Sequence, residues 1–395
     1  MSNGKGGFIG QDGLNAPDEP TGVAGTAGDT AVSVAFTAPS NVGGADITGY
    51  RVTDSTGAFG VSGSTSPINV TGLTNGTSYT FNVWAINPFG WSSPSDASGA
   101  VAPSLVSSTM AWLIGRVTPI DAYNIASTGN ALDYGDMTQN ESLLAASANA
   151  TQALISGFGF GGNSTIDKLD LTSLGNTASF GNLTKNSQWG SGLSNSTRAV
   201  HSIGYTNGAA SSNSIEYMTF GTSGNATDFG DLTATFSVGC GSGSSTRGLF
   251  GCVAFNSKTN VINYITIASA GNAADFGDLT LSRNGLAACS STTRSIQFGG
   301  DGSSGGSFSN VIDYVTIAST GNATDFGNLV VGARYLGGSG STTRGTIAGG
   351  DTSSGDTERI EYVTIASTGN ATDFGDLTED RKQCSGFSNC HGGLS

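Results

Sequence analysis

Four arginines recur at one position of a chain that is otherwise poor in bases. They close the segments Ser-Thr-Arg198, Ser-Thr-Arg247, Thr-Thr-Arg294 and Thr-Thr-Arg344, and the 395 residues hold only 15 Lys and Arg. A guanidinium presents a planar fork of donors that suits sulfate, phosphate or carboxylate. Placed around one opening, the four would form a partial cationic ring and hold an anionic ligand, such as an acidic sugar, in an acidic protein. The other reading is structural, with each arginine paired to a carboxylate or a turn carbonyl of a neighbouring repeat. Two earlier repeats carry Met110 and Gln152 at this position, so the ring would be incomplete. Arg283, Arg334 and Arg381 form a second recurring set, open to the same two readings.

The remaining reactive side chains do not assemble into a catalytic set. His201 and His391 are the two histidines, and they lie in different repeats. Asp133, Asp228, Asp275, Asp325 and Asp373 occupy equivalent places. A residue repeated in this way serves the repeat, here by accepting turn N–H groups; calcium held with neighbouring Asn carbonyls is the alternative. Nothing marks two of these acids as a glycosidase pair. The five cysteines (Cys240, Cys252, Cys289, Cys384 and Cys390) are odd in number and absent from the first 239 residues, which argues against a disulfide framework. They read as small packed thiols; Cys384 and Cys390 beside His391 are a weak metal-ligand pattern. The expectation is no catalytic residue, no metal and no cofactor.

The elements that must position these residues are short strands. Gly is 62 residues, charged residues are 11%, and Ser, Thr and Asn fill much of the rest. That mixture suits strands joined by tight turns, and no stretch carries a long 3.6-residue apolar period. The net charge of −14 argues against nucleic-acid binding and against an anionic membrane surface. No apolar run reaches the roughly 18 residues of a spanning helix. The N-terminus lacks the apolar core of a secretion signal. Residues 1–15 form a Gly-rich arm with Phe8 and Ile9 as its large hydrophobes, read either as a disordered tail or as a docking peptide.

Residues 16–103 alternate β runs with turns. Val32, Val34 and Phe36 share one face, Tyr79-Thr-Phe-Asn-Val-Trp-Ala-Ile86 alternates again, and Gly72-Leu73 stands six residues before Tyr79. With Pro17, Pro20, Pro39, Ile47-Thr-Gly-Tyr50 and Ser93-Pro-Ser95, this segment resembles a fibronectin type III domain. The Leu73/Tyr79 pair looks like the tyrosine corner of such sandwiches. The resemblance implies a spacer or a binding module and no chemistry.

From residue 105 the chain is periodic. Ile312-Asp-Tyr-Val-Thr-Ile-Ala-Ser-Thr-Gly-Asn-Ala-Thr-Asp-Phe-Gly-Asn-Leu329 returns nearly unchanged at Ile360–Leu377, with copies from Ile120, Ile166, Ile215 and Ile262. A late aromatic recurs at Tyr134, Phe180, Phe229, Phe276, Phe326 and Phe374, at intervals of 46, 49, 47, 50 and 48 residues. Six copies of this length predict four-stranded propeller blades. The Gly-Gly pair, the following Tyr strand and the late aromatic resemble the kelch repeat, with Phe or Tyr where kelch repeats carry Trp. The fold expected is therefore all-β: a fibronectin-III-like sandwich over 16–103, then a six-bladed kelch-like β-propeller over 105–395. The first repeat opens with a second-type strand, Met110–Gly115, and the chain ends with a surplus first-type strand near Gln383–Ser388. Pairing the two would close the ring.

The whole chain is similar to tail- and fibre-associated proteins of tailed phages, particularly marine ones. Gly7-Phe-Ile-Gly10, the fibronectin-like segment and the Tyr-x-Thr-Ile-Ala-Ser-Thr-Gly-Asn-Ala-Thr-Asp-Phe-Gly repeat carry that likeness. It implies a virion protein exposed on the particle and present in many copies. Its arm and sandwich would bind other virion proteins, and its propeller would bind host surface glycans. A decoration protein without receptor binding, or a propeller enzyme acting on polysaccharide, are the alternatives. The near identity of repeats five and six favours a binding surface over an active site built from unlike residues.

Overall fold

The computed structural model describes residues 15–28, 30–74, 77–103, 109–139, 144–158, 162–173, 175–206, 210–236, 239–251, 258–302 and 308–394. Most of the arm, Cys252 and the core of the 301–308 loop lie outside these. The chain is all-β and divides into two compact units, residues 1–107 and 108–395. One 3-10 turn, Gly392–Leu394, is the helical element among the described residues. No helix there is long and apolar enough to cross a membrane.

The first unit is a β-sandwich. One sheet has the order β1 (Thr21–Gly28), β2 (Ala31–Thr37), β5 (Ile68–Thr71); the other has β4 (Gly60–Gly63), β3 (Gly49–Asp54), β6 (Phe81–Asn87), β7 (Gly90–Trp91). Period-2 alternation turns Val32, Val34 and Phe36 inward against Tyr50, Val52, Phe81 and Val83, with Leu73 beside them. The Tyr79 hydroxyl accepts the Thr74 N–H at 3.2 Å and so anchors the corner. Beyond β7, Ser92, Ser95 and Ser98 run beside β6, and their hydroxyls accept the N–H groups of Ala85, Val83 and Phe81.

Among its described residues the second unit contains six sheets, here I to VI, each built around four antiparallel strands taken as first to fourth. In sheet V they are Ala287–Ser290, Arg294–Phe298, Val311–Thr316 and Thr324–Asn328. Sheet I draws its first strand, Ser385–Ser388, from the chain's end. It pairs with Met110–Gly115, setting Phe387 opposite Trp112 with their rings stacked at 5.9 Å. The first strands lie side by side, each touching the next, and Ser385–Ser388 touches those of both sheet VI (Gly337–Gly340) and sheet II (Ala145–Ala148).

The conserved-looking run within each repeat joins one sheet to the next. In sheet V, Gly321 and Ala323 donate their N–H groups to the Phe276 and Asp278 carbonyls of sheet IV, and Asn322 Oδ1 accepts the Asp278 N–H. The same three bonds recur from VI to V through Gly369, Asn370 and Ala371. They also link sheet I back to sheet VI through Gly129, Asn130 and Ala131. Such close backbone approach leaves no room for a side chain. A Cβ on Gly277 would lie 2.4 Å from the Gly321 carbonyl oxygen, and one on Gly375 would lie 2.4 Å from that of Gly129. Both glycines also have positive φ, 143° and 154°, which L side chains rarely adopt.

A second link lies beneath this clasp. An acid or amide of each third strand accepts from the fourth strand of the preceding sheet. Glu216 takes the Thr184 N–H and hydroxyl, Asn263 those of Thr233, and Asp313 the Thr280 hydroxyl; Asp121 of sheet I takes Thr378 of sheet VI. These acceptors are almost fully buried, so each needs its partner.

The aspartates expected to accept turn N–H groups do so only in part. Asp133 Oδ1 accepts the Gly135 N–H at 3.1 Å, whereas Asp228, Asp275 and Asp325 make no such bond. The work passes to the Asn of Gly-Asn-Ala, whose amide oxygen reaches across to the neighbouring sheet. Its amide oxygen accepts there without a charge to desolvate, which suits it to this half-exposed seam.

Candidate functional site

Each repeated arginine opens the second strand of its sheet, and each reaches the next sheet. Arg198 Nη1 donates to the Ile267 carbonyl at 2.8 Å, Arg247 Nη1 to Ile317 at 2.8 Å, Arg294 Nη1 to Ile365 at 3.0 Å, and Arg344 Nη1 to Ile125 of sheet I at 2.8 Å. Those carbonyls end the third strand of the following sheet, where helix-like or ladder partners have run out. Each guanidinium also stacks on the third-strand tyrosine of its own sheet, 4.3 to 4.8 Å from the ring centres of Tyr217, Tyr264, Tyr314 and Tyr362. Those rings meet Phe229, Phe276, Phe326 and Phe374 edge-on. The arginine thus closes a stack of cation, phenol and phenyl between two sheets, worth about 1–2 kcal/mol per copy. Of the two readings, the geometry supplies the turn-carbonyl pairing; an anion would have to bind the remaining half-exposed edge of each guanidinium.

The second arginine set pairs with carboxylates. Arg283 meets Asp313 at 2.5 Å and donates to the Gly299 and Val311 carbonyls; Arg381 meets Asp121 at 3.0 Å. All four of those side chains are sealed from solvent. Arg334 bridges Asp351 at 2.9 Å and Asp301 at 3.4 Å. Buried pairs of this kind are expensive to break from one side.

The first strands of all six sheets line a cavity of about 60 Å³, with Ser147, Leu193, Ser242, Cys289, Ser339 and Phe387 among its walls. That volume suits a few waters and excludes a sugar ring. None of the four arginines lines it. The chain's last residues lie across one end. His391 Nε2 donates to the Ala148 carbonyl at 2.8 Å and its Nδ1 accepts the Gly393 N–H at 3.1 Å. A Cβ on Gly392 would meet the Ser291 carbonyl oxygen at 2.0 Å. Burial holds His391 below the ordinary histidine range.

His201 is enclosed between sheets II and III, its two ring nitrogens 2.8 and 2.7 Å from the Ser147 and Ser156 hydroxyls. Burial pushes its pKa down to about 3. A neutral imidazole with no exposed surface and no carboxylate behind it is a packing group, unsuited to general-base work on an outside substrate. The four described cysteines are free thiols, three of them buried. Burial pushes Cys240 up to about 11 and Cys384 and Cys390 to about 12, so they stay protonated. No group of three or more potential metal ligands gathers among the described residues.

What the sequence did not single out is Lys168. It stands in sheet II at the place of the tyrosines, on the same face as Gln152, which stands at the place of the arginines. A groove of about 680 Å³ opens there, between sheet II and the Thr219–Gly221 turn of sheet III. The signal lay in the repeat alignment, as the one unit with Lys where units three to six have Tyr. Comparison with known proteins found no similar curated protein. Residues 18–100 match the Fibronectin type III domain family.

Proposed function

We propose that this protein is a non-enzymatic surface-binding protein of a tailed-phage particle, and that its six sheets close into a six-bladed, kelch-like propeller. The observation that carries the reading is that the three Gly-Asn-Ala bonds joining sheet V to sheet IV have counterparts joining sheet I to sheet VI. A clasp repeated from sheet to sheet would build a rigid platform. The buried acids Asp121, Glu216 and Asp313 all have partners, His201 is enclosed, and the inner cavity is too small for a substrate. Binding then falls to the outer surface and its loops. The arm and the sandwich would hold the protein on other virion proteins, in many copies, with the propeller facing outward.

The test is immunogold labelling of particles purified from a lysing culture, with an antibody against the repeat unit. Gold on the exterior of the particle is expected. Absence of the protein from purified particles, or labelling only after disruption, would sink the reading.

A further inference from the structure

We infer that the groove between sheets II and III is a binding site for a carboxylate-bearing sugar residue. The inference rests on the surface-binding reading and gives it a place and a ligand class. In sheets III to VI the equivalent space is filled by tyrosine and shut by arginine. In sheet II, Lys168 and Gln152 replace that pair, and the space stays open at about 680 Å³, within the range of small-ligand sites.

The donors in it are uncommitted. Gln152 Oε1 accepts the Gly221 N–H at 3.1 Å, which leaves its amide N–H groups free. Lys168 has no carboxylate or other polar partner, in a chain where the buried arginines are all paired. The Asp170 carboxylate also lines the groove, with Oδ1 turned to the Thr172 N–H and hydroxyl, so the ligand carboxylate must sit on the Lys168 side. Asn176 uses its oxygen on Asp136 and keeps its amide donors. One cation with flanking amide donors matches one carboxylate with neighbouring hydroxyls. Ala178 and Phe220 supply a small apolar floor for a sugar ring. The protein's overall charge of −14 repels anions at long range, so recognition must be local, and it persists at physiological salt, where the screening length is about 8 Å.

Isothermal titration at 0.15 M salt with hyaluronan, polygalacturonate and sialyl oligosaccharides tests this on the full chain. Lys168→Ala should weaken binding of the acidic sugar at least tenfold. Gln152→Arg with Lys168→Tyr, which rebuilds the stack of the other sheets, should abolish binding without lowering the unfolding midpoint. Retention of affinity within twofold in both variants would overturn the site, as would the absence of binding to any of the three probes. Neutral-sugar binding that survives in both variants would overturn this site and leave the surface reading standing.

Discussion

The sandwich and the repeat unit are both antiparallel β, yet they are held together by different means. The sandwich buries alternating side chains between two sheets, and Val32, Val34, Phe81 and Val83 lose essentially all their exposure. Some of its glycines sit at open turns, where a Cβ on Gly57 or Gly72 would meet nothing within 4 Å, although one on Gly43 would lie 2.1 Å from the Asn15 carbonyl oxygen. The repeat unit also has apolar layers between sheets, for example Ile296, Phe298, Ile312 and Ile347. Its sheets, however, approach so closely at their edges that backbone meets backbone, and the fit depends on missing side chains. The sandwich tolerates change at open turns such as that of Gly72 and resists it in its core. The repeats extend that intolerance to their seams.

The sharpest way to break this comparison is one added methyl group in each unit. Gly277→Ala puts a Cβ against the Gly321 carbonyl and must part sheets IV and V. It should cost about 3–5 kcal/mol through backbone strain, overpacking and the lost bonds of Gly321 and Ala323. Gly72→Ala carries only the cost of its positive φ of 81°, about 1 kcal/mol. Denaturant unfolding of the two variants, followed by probes in each unit, gives both numbers. Equal losses would mean that the seams are slack.

Acid sharpens the comparison with a smaller effect. His201 and His391 both lie in the repeats and both are held neutral by burial. Below the unfolded value near pH 6.5 the unfolded chain takes up protons that the folded unit refuses, so stability falls as pH drops. For His201 the slope is about 1.4 kcal/mol per pH unit, continuing toward its folded value of about 3. The sandwich has no histidine among its residues. Burial pushes its Asp54 carboxyl up, but hydrogen bonds from Thr56 and from the Phe59 backbone outweigh that and hold it below its usual value. Its acid loss therefore begins only as pH falls below about 4. Calorimetry from pH 7 to 5 should lower the repeat transition alone, and His201→Gln should flatten that decline.

The sandwich was legible in the sequence because its rule is local: alternation fixes which side chain faces inward, and the Leu73/Tyr79 spacing fixes a corner. The repeat strands were legible for the same reason, and the final strand's pairing with Met110–Gly115 followed from counting strand types. The seams were not. Gly-Asn-Ala reads as a tight turn, and nothing in the triplet says that its N–H groups serve a different sheet. The role given to Asp belongs largely to Asn, because the acceptor's reach depends on a distance between sheets that no local pattern encodes. That the arginines pair with turn carbonyls of a neighbouring repeat was one of the two readings open in the sequence, but which carbonyl each takes was not, because every residue possesses one. Lys168 stood out only once the tyrosine it replaces had been given a job.

The central claim is that the chain's last strand completes its first repeat sheet. Amide hydrogen exchange on Ser385–Ser388 tests it directly, because an unpaired terminal segment exchanges at the rate of open coil whereas a strand locked beside Met110–Gly115 opens only with the whole unit. Protection of the Ser385 and Phe387 amides, which face the paired strand, equal to that of Leu113 is the predicted result. Exchange within seconds at those amides, while Leu113 stays protected, would contradict it.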